Sequence, residues 1–250
     1  MTKPTDKEDS FAYLHGFTSD EQGRLRRQAA FGEPIVYADV DFSDVKSVLE
    51  VGCGVGAQSE ILLRRFPNIF LTGIDASPVQ LKSANEFLTK TDYFKGRFDF
   101  QQMDAANMKF ADKSFDGAFL CWILEHVKSP SQVLSEVRRV LRPGARIYVT
   151  EVMNSTFFLD PYSPNVWKYW MAINDYQYDG AGDPFVGAKL GNLLSAVGFG
   201  NVETHIKTWF LDNRQPEKRR KVIEYWTELI LSTADQLLNA KYLTEEVVLA

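Results

Sequence analysis

The sequence is poor in cysteine and histidine and has no long hydrophobic run. Its 250 residues include 2 Cys, Cys53 and Cys121, which predict no disulfide framework, and 3 His that are too dispersed for a zinc site. No stretch approaches the roughly 18 apolar residues that a membrane span needs, and the polar N-terminus has no signal-peptide core. We therefore expect a cytoplasmic protein with no membrane partner and no metal ion.

Concentrated positive charge is also scarce. The formal net charge is −5, and the one short basic run, 218–221, lies between Glu217 and Glu224. Because binding to nucleic acid relies on a concentrated basic face, we expect no nucleic-acid partner. The hydrophobic fraction of 45% and charged fraction of 24% are ordinary for a globular protein, which predicts a single domain over 1–250, as a monomer or a homodimer.

What the sequence does contain is a regular alternation of strand-like and amphipathic helical segments. Strands are predicted at 47–51, 69–74, 98–103, 115–122, 146–152 and 201–210. Helices are predicted at 18–30, 58–66, 77–88, 131–141, 186–197 and 217–239. Such alternation predicts an α/β fold with a Rossmann-like, doubly wound and mostly parallel sheet that is covered by helices on both faces.

Within this domain the pattern predicts four parts. A helical lid at 11–32 precedes a cofactor-binding core at 46–152, and an aromatic insertion follows the fifth strand at 153–185. The remaining part, 186–250, ends in what looks like a helix that has only just begun, with Thr244 as its N-cap. We therefore expect a chain that is truncated before the last strand of its sheet.

The main chemical signal is a glycine-rich turn between the first strand and the following helix. Glycine at 52, 54 and 56 lets the backbone turn sharply and lets a ligand approach the N–H groups at the helix start. Asp75 ends the second strand, where a carboxylate can accept both hydroxyls of a ribose, and Asp104 ends the third, within reach of an adenine amine. Because Gly52, Gly54 and Ala57 also satisfy the dinucleotide pattern, a nicotinamide-dependent dehydrogenase is an alternative.

The arrangement closely resembles the class I S-adenosylmethionine-dependent methyltransferases, in particular stand-alone domains of the small-molecule branch. The resemblance covers about 47–152 and rests on Glu50 before the glycine turn, the segment 73–77 and the segment 140–144. It implies methyl transfer from S-adenosylmethionine, with S-adenosylhomocysteine as product, to a small-molecule acceptor by in-line displacement. A non-catalytic S-adenosylmethionine-binding protein is a second alternative.

The resemblance also implies which residues contact the cofactor. They are Tyr13, Gln28, Glu50, Gly52, Cys53, Gly54, Asp75, Ala76, Gln80, Asp104, Ala105, Cys121 and Trp122. Arg24 is a further candidate in the lid, where packing on the surface is the alternative.

Substrate sites in this fold follow the fifth strand, where the aromatic insertion lies. We expect Trp167, Trp170, Asn174 and Tyr176 to line the acceptor pocket. Trp167 and Trp170 also fit an ordinary apolar helix stripe. The sequence identifies no catalytic residue, and His126 is predicted to have a structural or cofactor-lining role rather than to act as a base.

Overall fold

A five-stranded sheet forms the centre of the structure, a computed structural model that describes residue 16 and residues 18–249. The strands are β1 (Ser47–Val51), β2 (Phe70–Asp75), β3 (Phe98–Gln102), β4 (Phe115–Cys121) and β5 (Leu141–Thr150). They lie in the order β3-β2-β1-β4-β5, and every neighbouring pair is parallel. The strand order reverses between β1 and β4, which creates the switch point where open α/β sheets bind ligands. The predicted parallel α/β fold is confirmed.

Helices surround this sheet and continue beyond it. They are α1 (Ser19–Val36), α2 (Ala57–Arg65), α3 (Pro78–Leu88), α4 (Pro130–Val140), α5 (Pro164–Asp179), α6 (Leu190–Ala196), α7 (Pro216–Leu231), α8 (Ala234–Asn239) and α9 (Glu245–Leu249). The starts of α3, α4 and α5 share one signal, a serine N-cap followed by proline at the first helical position. None of the helices in the described part has the length and hydropathy that crossing a bilayer requires.

Two apolar layers enclose the sheet. Val48 of β1 belongs to a cluster with α1 and α2, whereas the next residue, Leu49, belongs to a cluster with α4. Successive side chains of a strand point to opposite faces, so an uninterrupted apolar strand buries both of them. This pattern places helices on both faces of the sheet, as a doubly wound fold requires.

A third apolar cluster lies among the helices that follow β5. It joins α5 to α8 and α9 through Tyr169, Trp170, Ile173, Leu237 and Leu243. We call α5 and α7–α9 the helical cap. Helix α1 also contacts this cap, because Arg27 pairs with Glu228 of α7 at 2.9 Å and the Phe31 ring stacks on Tyr225.

Two elements predicted in the C-terminal part are wrong. Residues 201–210, predicted as a strand, form none, because the segment makes no ladder with β5 and leaves Ile206 78% exposed. Apolar alternation by itself cannot provide the hydrogen-bonding partner that a strand needs. The predicted helix 217–239 is divided into α7 and α8 at Ser232 and Thr233, whose hydroxyls donate to the preceding turn.

Two further predictions in this part differ from the structure in detail or stay open. The predicted helix 186–197 begins as a 3-10 turn, Val186–Lys189, before α6. No observation tests the division into lid, core, insertion and C-terminal part, or the predicted truncation, so these stay predictions.

Candidate functional site

One large cavity opens above the carboxyl ends of the strands. Its volume is about 1810 Å³, and its walls come from the ends of β1, β2, β4 and β5, from α1, α5 and α7, and from the segment 203–213. Pockets for a single small molecule usually measure roughly 300–1,000 Å³. The cavity is therefore large enough for two ligands side by side.

At one end, which we call the glycine end, Asp75 ties the glycine turn to the start of α3. Its Oδ2 accepts the Gly54 N–H at 2.9 Å, and its Oδ1 accepts the Ser77 N–H at 2.8 Å. Gly52 and Gly54 have φ values of 72° and 50°, a region that favours glycine. Each carboxylate oxygen of Asp75 keeps a further lone pair, so Asp75 can still accept two hydroxyl groups from a ligand.

A buried carboxyl group lies beneath this turn. Glu50 is 2% exposed and accepts a 2.5 Å hydrogen bond from the Ser59 hydroxyl. Burial, with the nearby charge of Asp75, raises the pKa of Glu50 to about 8. Burial also raises the pKa of Asp75. Since a neighbouring cation favours the ionised form of a carboxyl, this end of the cavity suits a ligand with a positive charge.

At the other end, aromatic side chains form one continuous surface. The Trp170 ring lies 4.8 Å from that of Phe157 and 4.9 Å from that of Trp226, measured between centroids. Tyr225 adjoins Trp226 at 5.9 Å and Trp209 at 6.3 Å. We call these five residues, all of which line the cavity, the aromatic wall. Such a surface suits a flat, largely apolar ligand.

Polar groups at the ends of β4 and β5 complete the lining. Glu151 follows β5, and its Oε1 accepts the N–H groups of Ile123 at 2.8 Å and Leu124 at 2.6 Å. Gln177 of α5 donates to Glu125 Oε2 at 3.0 Å and lies 3.3 Å from His126 Nδ1. The sequence analysis missed Glu151, Glu125 and Gln177. For Glu151 a signal was available, because an acidic residue directly after a strand is the same signal that singled out Asp75.

Most of the residues predicted to contact the cofactor lie in the cavity wall. These are Gln28, Gly52, Cys53, Gly54, Asp75, Ala76, Gln80, Cys121 and Trp122. Arg24 lines the cavity too, but its guanidinium forms a bidentate ion pair with Glu21 at 2.6 and 2.7 Å and donates to Gln28 at 2.9 Å. These contacts give Arg24 a structural role within α1 as well as a place in the cavity wall. Tyr13 lies outside the described residues.

Three cofactor predictions fall on residues that do not line the cavity. Glu50 lies under the glycine turn instead of beside the open space, because the first strand ends in the buried core. Asp104 is exposed, and its Oδ1 accepts the Ala106 N–H at 2.8 Å within its own turn, next to Ala105. Contact of these residues with a cofactor stays a prediction.

Of the residues predicted for the acceptor pocket, only Trp170 lines the cavity. Asn174 is buried instead, where it accepts from Asn154 at 2.9 Å and donates to the Trp170 carbonyl at 2.7 Å. Tyr176 packs edge-on against Tyr242, and Trp167 is absent from the lining. Helix periodicity explains this difference, because only one face of α5 points into the cavity, and it carries Tyr169, Trp170, Ile173 and Gln177. Contact of the predicted residues with an acceptor stays a prediction.

Comparison with known proteins agrees with this geometry. Residues 49–149, which include the glycine turn, β2, β3 and β4, match the family model described as "Methyltransferase domain". Residues 49–149 are therefore similar to a methyltransferase domain. The parallel sheet with helices on both faces is the class I methyltransferase fold. In the described part, no group of three or more His, Cys, Asp or Glu residues is arranged to hold a metal ion.

Relatives and solved structures extend this likeness. The chain is 32% identical over 130 residues to the O-methyltransferase resE of Aspergillus sclerotiorum, covering 52% of this chain and 47% of that protein. It is 30% identical over 162 residues to 27-O-demethylrifamycin SV methyltransferase of Amycolatopsis mediterranei, covering 59% of each. Human N-acetylserotonin methyltransferase, solved with S-adenosylmethionine, shares the fold with a TM-score of 0.57 at 19% identity, covering 73% of this chain and 50% of that one. The chain spans about half the length of the curated relatives it matches.

Proposed function

We propose that the protein is an S-adenosylmethionine-dependent methyltransferase that acts on a small-molecule acceptor. The observation that carries the proposal is a single cavity with two chemically different ends. The glycine end offers the Asp75 carboxylate and the open space beside Gly54, and the opposite end offers the aromatic wall. A dehydrogenase would place a nicotinamide dinucleotide on the same turn, but the family match and the names of the relatives favour methyl transfer.

The residues at the glycine end fit S-adenosylmethionine. Asp75 retains the lone pairs to accept two ribose hydroxyls, and Gly54 leaves open space where a side chain would stand. Glu50 and Asp75, whose pKa values are raised by burial, favour a cationic ligand. When bound, S-adenosylmethionine supplies an activated methyl group on a positively charged sulfur.

The chain contributes to catalysis mainly by position. The aromatic wall and the strand ends hold an acceptor against the glycine end and exclude water from the space between them. Bringing two reactants together in the correct alignment lowers the barrier by several kcal/mol, on the order of 7–11 in well-oriented cases. A protein base is needed only where the acceptor atom carries a proton. The proposal includes a cytoplasmic location, no nucleic-acid partner and a monomeric or homodimeric state, all of which stay predictions.

Titration calorimetry tests the first half of the proposal. We expect S-adenosylmethionine and S-adenosylhomocysteine to release heat on binding and a nicotinamide dinucleotide to release none. The variant Asp75→Ala should lose about 10-fold or more in affinity, because hydrogen bonds to a charged group are each worth about 1.5–3 kcal/mol. Asp99→Ala, at an exposed position of β3 outside the cavity, is the matched control and should bind normally.

A labelled methyl group tests the second half. With methyl-labelled S-adenosylmethionine and an extract of metabolites, we expect the label to appear in a small molecule. Binding of the cofactor without transfer to any acceptor would instead favour a non-catalytic binding protein. Binding of the dinucleotide in place of both sulfur compounds would refute the proposal.

A further inference from the structure

Two acidic residues of the cavity wall, Glu125 and Glu151, lie after the ends of β4 and β5. Glu151 follows β5 directly, and Glu125 lies in the 3-10 turn Leu124–His126 after β4. Cys121 and Thr150 are register partners on these strands, so the residues that follow them reach the same edge of the sheet. Glu151 is two strands away from the glycine turn, which corresponds to about 10 Å at the usual spacing of strands.

The two carboxyl oxygens of Glu151 differ in their hydrogen bonding. Oε1 accepts two backbone N–H groups, whereas Oε2 is buried without a hydrogen-bond partner among the described residues. Glu125 differs, because its Oε2 accepts from Gln177. A buried polar atom without a partner costs free energy, which a donor group of a ligand in this cavity can recover.

The surroundings of Glu151 make it a stronger base than an ordinary carboxylate. Burial and the neighbouring charge of Glu125 raise its pKa well above the usual value. The Cys121 thiol lies on its β4 side, and the pKa of that thiol is raised by burial and by Glu151. Two titratable groups of the surrounding elements lie near Glu125: His126 in the same turn and Tyr225 of α7, which is in turn near the Arg24–Glu21 pair of α1.

We propose that Glu151 accepts the proton of the acceptor and that the acceptor is an aromatic hydroxyl compound. The proposal rests on the proposed function. The acceptor oxygen forms a bond to the methyl carbon, the carbon–sulfur bond breaks with its electron pair on sulfur, and the hydroxyl proton passes to Glu151. The aromatic wall is the surface on which a flat ring would lie, and the relatives named as O-methyltransferases agree with a hydroxyl acceptor.

A matched pair of ligands tests this contact without turnover. 2-Naphthol carries the hydroxyl proton, and 2-methoxynaphthalene does not. In Glu151→Gln, which keeps an acceptor for the N–H groups of Ile123 and Leu124, we expect affinity for 2-naphthol to fall roughly fivefold at a pH where Glu151 is ionised, since a charge-assisted hydrogen bond becomes a neutral one. Affinity for the ether should stay the same. An equal change for both ligands, or none for 2-naphthol, would overturn the proposal.

Rates test the transfer of the proton. With saturating S-adenosylmethionine, we expect kcat for 2-naphthol to fall about 10²–10⁴-fold in Glu151→Gln, the usual range for loss of a general base, while calorimetry shows unchanged cofactor binding. The kcat for 2-naphthol should increase with pH as Glu151 loses its proton. In Glu125→Gln this increase should occur at lower pH than in the wild type, because one of the two causes that raise the pKa of Glu151 is removed. An unshifted pH profile would count against Glu151 as the base.

The outcomes separate this inference from the proposed function. If S-adenosylmethionine binds but 2-naphthol is neither bound nor methylated, the aromatic hydroxyl acceptor is wrong and the proposed function stands. If S-adenosylmethionine itself does not bind, the proposed function fails first. If Glu151→Gln does not fold, as far-ultraviolet circular dichroism would show, the pH profile of Glu125→Gln decides the question.

Discussion

The glycine end and the aromatic wall share one cavity but are built in different ways. The glycine end comes from short segments at the ends of adjacent parallel strands, such as Gly52–Gly54 and Asp75, which backbone hydrogen bonds align. The aromatic wall joins Phe157, Trp170 of α5, Trp209 and two rings of α7, none of which belongs to a strand. A sheet therefore positions the first end, whereas packing among side chains positions the second.

This difference predicts that variants at the two ends fail in different ways. At the glycine end, backbone geometry and buried charge set stability, and the open space above the turn sets binding. At the aromatic wall, Phe157, Trp170 and Trp226 line the cavity and also belong to the core of the helical cap, so stability and binding depend on the same rings.

The largest expected effect is at the aromatic wall. Trp170 is 3% exposed, packs on two rings and donates its indole N–H to the Asn154 carbonyl at 3.0 Å. In Trp170→Ala the free energy of unfolding should fall by about 3–5 kcal/mol. Chemical denaturation measures this. Trp209→Ala is the control, because Trp209 is partly exposed and lies outside the buried cluster of the helical cap, and it should cost much less. Equal losses would contradict the larger role given to that cluster.

The next effect concerns the charge buried at the glycine end. Glu50 has a folded pKa of about 8 against an ordinary value of 4.5, so between these pH values the folded protein holds a proton that the unfolded chain has released. The free energy of unfolding should therefore fall as pH rises across this window. Gln at position 50 does not titrate, so Glu50→Gln removes this loss. Its free energy of unfolding should match that of the wild type near pH 5 and exceed it by a few kcal/mol near pH 8.

Urea denaturation at several pH values measures this difference. Glu60→Gln is the matched control, because Glu60 lies partly exposed on α2, where it pairs with Arg64 at 3.0 Å. A difference between Glu50→Gln and the wild type that stayed constant with pH would contradict the role given to burial.

The smallest effect separates stability from binding within the glycine turn. A Cβ at Gly52 would lie 2.8 Å from the Ile123 side chain, whereas one at Gly54 meets nothing within 4 Å. Both residues have positive φ, so alanine is strained at each by roughly 1–2 kcal/mol. Gly52→Ala should be the less stable, and Gly54→Ala, with a methyl group in the open cavity, should lose more affinity for S-adenosylmethionine. Thermal unfolding measures the stability of the two variants, and calorimetry measures their affinity for S-adenosylmethionine. The reverse order in either measurement would contradict the prediction.

Local signals predicted the sheet well because each of them is carried by neighbouring residues. The apolar runs of β1 and β4, the Ser77 cap and the glycine turn lie where the sequence predicts them. The segment 201–210 was wrongly predicted as a strand, because alternation of apolar residues cannot show whether a partner strand lies alongside.

By itself, the sequence determined the parallel α/β core and brought Asp75 to the glycine turn, since hydrogen bonds within and between adjacent strands set both. Only the tertiary structure decided which face of α5 meets the cavity and that Glu151 and Glu125 lie side by side there. It likewise decided that Asn174 is buried and that Trp209 joins the rings of α7. These contacts join residues that are far apart in the chain, and burial and packing select them only after the sheet and helices have assembled.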